Sequence, residues 1–297
     1  MTTTAGADGL PVLGIDVGAQ GLTSVGSPDR FVTMSDGPST LVERIARNGG
    51  RVLGWQRIAG NFTIPAVAYD SSASGLSADG RTLVLIQPRR AFPRARTTFA
   101  LLDARKLVLE RTFTLQGDFS FDAISPKGGK MFLINYTSPT DPTRYTVRAY
   151  DLRAGALVAA PVIDPAEKNP DKMRGSPVTR MVSADGRWAY TLYDGGGNEP
   201  FVHALDTATS RAHCVDLPML AGKNVSAMRF TRGPGPEIRI GRKGDQFAVV
   251  DTATFTASVP SDGAPADLRP WLIAAALSLL VAFAATRRRF RGRPATI

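Results

Sequence analysis

Two histidines, His203 and His213, and a single cysteine, Cys214, are the side chains of this 297-residue sequence best suited to acid–base, nucleophilic or metal chemistry. They form no set that would do it. No C-x-x-C pair or H-E-x-x-H run supplies a zinc spacing. His203 alternates with Phe201 and Leu205 along one side of an extended run, which is the position of a structural side chain. Cys214 follows in the next run with no His or Asn in a nucleophile pattern, and reads as a small core residue. The sequence has no G-x-S-x-G elbow, no Walker-type glycine loop and no H-x-E…C-x-x-C deaminase set. The expectation is no catalytic residue, no metal ligand and no cofactor.

Carboxylates and guanidinium groups are the remaining candidates. Asp103, Asp151, Asp206 and Asp251 each end a β-forming run just before a short polar turn, as in "FALLDARKLVLERTF" and "VHALDTATSRAHCVDL". An Asp there accepts hydrogen bonds from backbone N–H groups of the turn, so the four read as turn caps, spaced too far apart to converge on one ion. "QPRRAFPRARTT" sets Arg89, Arg90, Arg94 and Arg96 around Phe92, a candidate loop for an anion or an acidic partner. "YDGGGNEPF", residues 193–201, and "IDPAEKNPDKMRGSP", residues 163–177, are candidate contact loops without visible chemistry.

The elements that must position these groups recur about every 50 residues, which is the signature of a modular architecture. "VGSPDRFVTMSDG", "GLSADGRTLVLIQ", "AISPKGGKMFLINY", "VSADGRWAYTLYD" and the degenerate "MRFTRGPGPEIRIG" share a turn marked by Ser27, Ser77, Ser125, Ser183 and Thr231, at intervals of 50, 48, 58 and 48 residues. Each turn precedes a β-rich run, and the aspartate-terminated run follows in all but the first copy, where Ala46 takes the place of Asp. The unit is therefore four antiparallel strands, with Gly supplying positive φ in the first turn. A lone sheet of four strands has two faces to cover, and radial stacking covers them.

These repeats resemble the YVTN and WD-repeat-like bacterial β-propellers, whose blades carry an S-P-D-G turn, an aromatic strand and a strand finishing in D-T-A-T. "SADGRWAYTLYD" followed by "FVHALDTATSR" is the closest copy. The resemblance spans residues 22–260 and departs at "TRGPGPE" and at Ala46. The fold class expected is all-β, a propeller of five to six four-stranded blades with one C-terminal transmembrane helix. A sixth blade would lie in "LGWQRIAGNFTIPAVAYDSS", and the competing architecture is a β-sandwich or barrel. Residues 1–21 form an N-terminal segment in which Leu10 to Gly18 could be a ring-closing strand. Residues 261–270 are a linker.

Residues 271–286, "WLIAAALSLLVAFAAT", carry no charge. Sixteen residues at about 1.5 Å each span about 24 Å, short for a bilayer core of about 30 Å. Trp271 suits one interface and Arg287, Arg288 and Arg289 the other, which lets the span fit a thinned bilayer. The basic tail, residues 287–297, is expected in the cytoplasm and the propeller outside, single-pass in the cell membrane. "MTTTAGADGLPVLG" has no signal-peptide pattern, so this orientation calls for a leader upstream of Met1. Five of the ten net positive charges belong to the tail arginines, leaving a mildly basic body and no case for nucleic acid. One cysteine excludes an intramolecular disulfide. The function expected is a binding or scaffolding module at the bacterial cell envelope, partnered by the lipid bilayer and by another protein or an envelope glycan. The alternatives are a propeller-type enzyme, lactonase or quinoprotein-like, and a ligand-sensing subunit of an envelope complex.

Overall fold

The structure, a computed structural model, describes residues 17–260 apart from Val25, Gly49 and residues 168–172. Its secondary structure is β throughout, with two short 3-10 turns at Gly195–Gly197 and Pro218–Leu220. Strands follow one another as up-and-down meanders in five antiparallel sheets. The first holds β1 (Asp29–Asp36), β2 (Ser39–Ala46) and β3 (Val52–Ala59), the second β4 (Thr82–Ile86), β5 (Arg96–Asp103) and β6 (Val108–Gln116). The third runs β7 (Phe119–Ile124), β8 (Lys130–Tyr136), β9 (Tyr145–Asp151) and β10 (Ala156–Val162). The fourth has β11 (Pro177–Val182), β12 (Trp188–Tyr193), β13 (Phe201–Asp206) and β14 (Arg211–Asp216). The fifth comprises β15 (Arg229–Arg232), β16 (Glu237–Arg242), β17 (Asp245–Asp251) and β18 (Thr256–Ser258).

Bridges complete the first two sheets. Leu22 pairs with Phe31, and Thr63 and Leu76 pair with Ile86 and Leu83, so each gains an irregular inner strand. Val17 and Gly18, the described end of the expected ring-closing stretch, also lie on the first sheet, where the Gly18 carbonyl accepts from Thr33 N–H at 3.0 Å. The long "LGWQRIAGNFTIPAVAYDSS" stretch supplies β3 and most of the second sheet's inner strand.

Four apolar clusters show how the sheets stack. They join the first sheet to the second, the second to the third, the third to the fourth and the fourth to the fifth. Among the described residues no such cluster joins the fifth sheet to the first. Inner strands are covered on both sides, as in the wholly buried β7, while the outer β6 alternates exposed and half-buried positions. Each fully buried Leu or Phe contributes about 1.5–3 kcal/mol of burial. Basic side chains fasten neighbouring sheets across their edges: Arg44 donates to the Arg105 carbonyl, Arg111 to that of Leu152 and Arg232 to that of Val182, and Lys130 donates to the Ser210 hydroxyl. This is the radial arrangement of a β-propeller, with the inner strands around a central axis.

The repeated turn has a defined construction. In the second, third and fourth sheets the Gly N–H closes the turn on the Ser carbonyl, Gly80 to Ser77, Gly128 to Ser125 and Gly186 to Ser183, at 2.9–3.0 Å. The Ser hydroxyl accepts the N–H that opens the next strand, from Thr82, Lys130 and Trp188. The same turns meet near the axis, where Gly26 N–H donates to the Ala78 carbonyl and Asp79 N–H to that of Pro126.

The axis itself is crossed by a small hairpin. Between Thr63 and Leu76 the inner strand of the second sheet leaves its ladder, pairs Ala66 with Ala73, and carries its tip to the far side. There Tyr69 and Asp70 donate N–H groups to the Pro177 and Val178 carbonyls of β11, and Asp70 accepts from the Thr179 hydroxyl and faces Arg229 of β15 at 3.6 Å.

Among the described residues no helix is long and apolar enough to cross a membrane. The expected span at residues 271–286 with Trp271, the linker and the tail with Arg287, Arg288 and Arg289 lie outside the described residues.

Candidate functional site

An up-and-down sheet places its first and third turns at one end and its second loop, with the connection to the next sheet, at the other. The loop end of the axis carries a cluster of buried polar residues. It begins with "DFSFD", residues 118–122, which runs into β7: alternation sends Asp118, Ser120 and Asp122 to one side and the two phenylalanines to the other. All three polar residues are at least 95% buried.

Arginines satisfy them. Arg89, itself 2% exposed, pairs with Asp118 and donates to the Ser120 hydroxyl at 2.9 Å. Its guanidinium lies 5.0 Å from the Tyr136 ring and 5.6 Å from that of Phe92, and those two rings meet edge to face. Arg94 gives Asp118 its backbone N–H at 3.0 Å, forms an ion pair with its Nε 3.4 Å from the carboxylate, and donates to the Gln87 and Phe119 carbonyls. The loop therefore does not present four cations around Phe92. Asp118, buried two strands away, takes Arg89 and Arg94, and only Arg90 and Arg96 remain exposed.

Asp122 is paired with Arg180 from β11, whose Nη1 also donates to the Asp122 carbonyl at 2.9 Å. Above this pair lies a pit lined by Tyr69, Tyr136, Tyr145 and Tyr193. Burial pushes their hydroxyls up, Tyr136 to about 12 even beside Arg89 and Tyr145 well above the ordinary value, so the phenols stay neutral. His203 lies beneath, 1% exposed on β13, and burial lowers its pKa to about 4 against the pull of Asp122. Its Nδ1 is 3.9 Å from Cys214 Sγ. The cluster fixes charge in place: Asp118 and Asp122 are paired with arginines, and the phenols and His203 are held neutral.

The larger opening at this end is a cavity of about 800 Å³ beside the fourth sheet. Two of the loops singled out by sequence meet there: Glu167, Met173 and Arg174 come from one, Gly195, Gly197, Asn198 and Glu199 from the other. Asp194 builds the junction, accepting N–H groups from Ser176 at 2.7 Å and Gly196 at 3.0 Å. Phe201 and Cys214 form part of its wall.

The four repeated aspartates lie at the turn end. Each accepts two backbone N–H bonds: Asp103 from Arg105 and Lys106, Asp151 from Arg153 and Ala154, Asp206 from Ala208 and Thr209, Asp251 from Ala253 and Thr254. Burial works against ionisation of Asp206, yet bonds from Arg187 and Thr209 hold its carboxyl at about 2. Among the described residues no cluster of His, Cys, Asp and Glu could hold a metal ion.

Sequence reasoning missed the buried Asp118, Ser120 and Asp122 stripe. The signal was present in "DFSFD", two carboxylates and a hydroxyl on one face of a strand that must be innermost.

No protein-family model matches the chain, and no curated protein matches it. Solved structures do. A functionally unknown protein from Desulfotomaculum acetoxidans aligns with a TM-score of 0.49 and 14% identity over 81% of this chain and 68% of its own. BamB from Moraxella catarrhalis aligns at 0.43 and 17% over 78% and 60%, and TolB from Acinetobacter baumannii at 0.43 and 12% over 80% and 53%. The chain thus spans about half of the TolB chain. At such identities and scores these likenesses say nothing of activity or partners, and the propeller arrangement rests on the sheets themselves.

Proposed function

We propose that the chain is a five-bladed propeller of the YVTN or WD-repeat-like kind, tethered to the cell membrane by residues 271–286 with its blades outside the cytoplasm. In this reading it is a binding module for a protein or glycan of the cell envelope. The observation that carries the reading is the cavity of about 800 Å³ at the loop end, where Arg174, Asn198 and Glu199 stand beside Phe201. Groups of both charge signs beside an aromatic ring make a surface that recognises by hydrogen bonding and shape. The neutral, buried His203 and the paired carboxylates of the axis support a reading without chemistry of its own.

Retention of envelope proteins or glycans on the full chain in detergent, compared with an Arg174→Ala/Asn198→Ala/Glu199→Ala variant, tests this. The variant should lose at least about tenfold of the specifically retained partner, roughly 1.4 kcal/mol, while Arg90→Ala/Arg96→Ala retains it. Equal retention by the cavity variant overturns the docking site. Labelling of propeller lysines by an impermeant amine reagent on intact cells tests the orientation, and labelling only after permeabilisation overturns it.

A further inference from the structure

The turn end of the axis holds a second cavity, of about 420 Å³, beneath the crossing hairpin. Its wall is mainly small and apolar, from residues such as Leu22, Ala78, Ile124 and Ala189. Both charged residues on the wall are cationic, Arg47 and Arg180, and no lining residue is a carboxylate.

Two buried donors there are unspent, and an exposed arginine beside them has no carboxylate partner among the described residues. Arg180 commits Nη1 and Nη2 to Asp122, but its Nε, in a side chain only 3% exposed, has no hydrogen-bond partner. The Ser24 hydroxyl is buried and equally without a partner. Arg47 donates through Nη2 to the Ser24 carbonyl at 3.2 Å and has no carboxylate in ion-pair reach among the described residues. The nearby turn acids are already used: Asp79 accepts from Ser77 and the Arg81 N–H, Asp185 from Ser183 and the Arg187 N–H. A buried donor left without an acceptor costs about 1–3 kcal/mol, so the cavity favours an occupant that brings one.

We infer that this cavity is a binding site for a small organic carboxylate. The apolar body lies against the Leu, Ala and Ile wall, and the carboxylate faces Arg47 and Ser24, with Arg180 as the second cation. A bare inorganic anion fits less well, because it would leave the apolar wall facing water and the volume unfilled.

Calorimetric titration of the full chain in lipid nanodiscs, against empty nanodiscs, tests the site with three probes: hexanoate, hexanol and inorganic phosphate. Hexanoate should bind saturably at one site per chain. Affinity should fall at least about tenfold in Arg47→Gln and several-fold in Ser24→Ala, and stay unchanged in Arg90→Gln at the opposite end, since charge-assisted bonds to a carboxylate are the strong ones. Arg47 is exposed and Ser24 half-buried, and unchanged thermal unfolding of each variant shows that folding is not the cause. Absence of saturable hexanoate binding overturns the inference. So does equal affinity in Arg47→Gln, equal loss in Arg90→Gln, or binding of hexanol or phosphate as tight as that of hexanoate.

Discussion

His203 shows what a single buried side chain implies for the protein's response to acid. In the folded chain its pKa is about 4, because burial disfavours the imidazolium, whereas in the unfolded chain it has the ordinary value near 6.5. Below about pH 6.5 the unfolded state takes up a proton that the native state refuses, so stability is complete above that pH and falls as pH drops toward 4. Asp122, Arg180 and Asp164 face this ring, and all three are already engaged: Asp122 with Arg180, Asp164 with the Cys214 N–H. Two and a half pKa units correspond to about 3 kcal/mol. Denaturant titrations between pH 7 and 4 should show a loss of that order in the native chain and a clearly shallower one in His203→Gln; parallel slopes would refute the assignment. The placement of His203 was legible in the alternation of Phe201, His203 and Leu205. Its partners were not, since Asp122 and Arg180 lie 81 and 23 residues away in the chain.

At the scale of the element, the repeated turn was readable because everything that makes it is local. Ser, Asp and Gly within four residues supply the acceptor, the cap and the positive φ. Gly186 also serves the ring: at φ +71° a Cβ on it would lie 2.3 Å from the Ala78 Cβ of another sheet's turn. Gly186→Ala combines left-handed strain with overpacking and should destabilise by about 2–4 kcal/mol. Gly129, whose added Cβ meets nothing within 4 Å, is the contrast, and Gly129→Ala should stay within about 0.5 kcal/mol. Equal unfolding midpoints for the two variants would show that the turns do not touch. The crossing hairpin, by comparison, was invisible to a search for repeats. "PAVAYDSSAS" has neither the period of a blade strand nor a turn motif of its own, and its partners Thr179 and Arg229 lie more than a hundred residues ahead.

Across the whole molecule, the loop-end arginines were read as a surface and proved in part to be an interior. Composition records that a loop holds four arginines; only the fold brings Asp118 to two of them. The Asp122–Arg180 pair has the same origin and invites the sharpest test of the axis. Arg180→Met alone leaves a buried carboxylate without its counter-charge and should cost about 3–5 kcal/mol, whereas Arg180→Met with Asp122→Leu should recover most of it. Additive losses in the double variant, measured by denaturant unfolding, would count against coupling through this pair. Together with the hairpin, the pair divides the axis into two closed cups, one floored by tyrosines and one by alanines. The larger cavity at the loop end and the one at the turn end share no lining residue, so guests at the two ends can be held at once without competing for the same space.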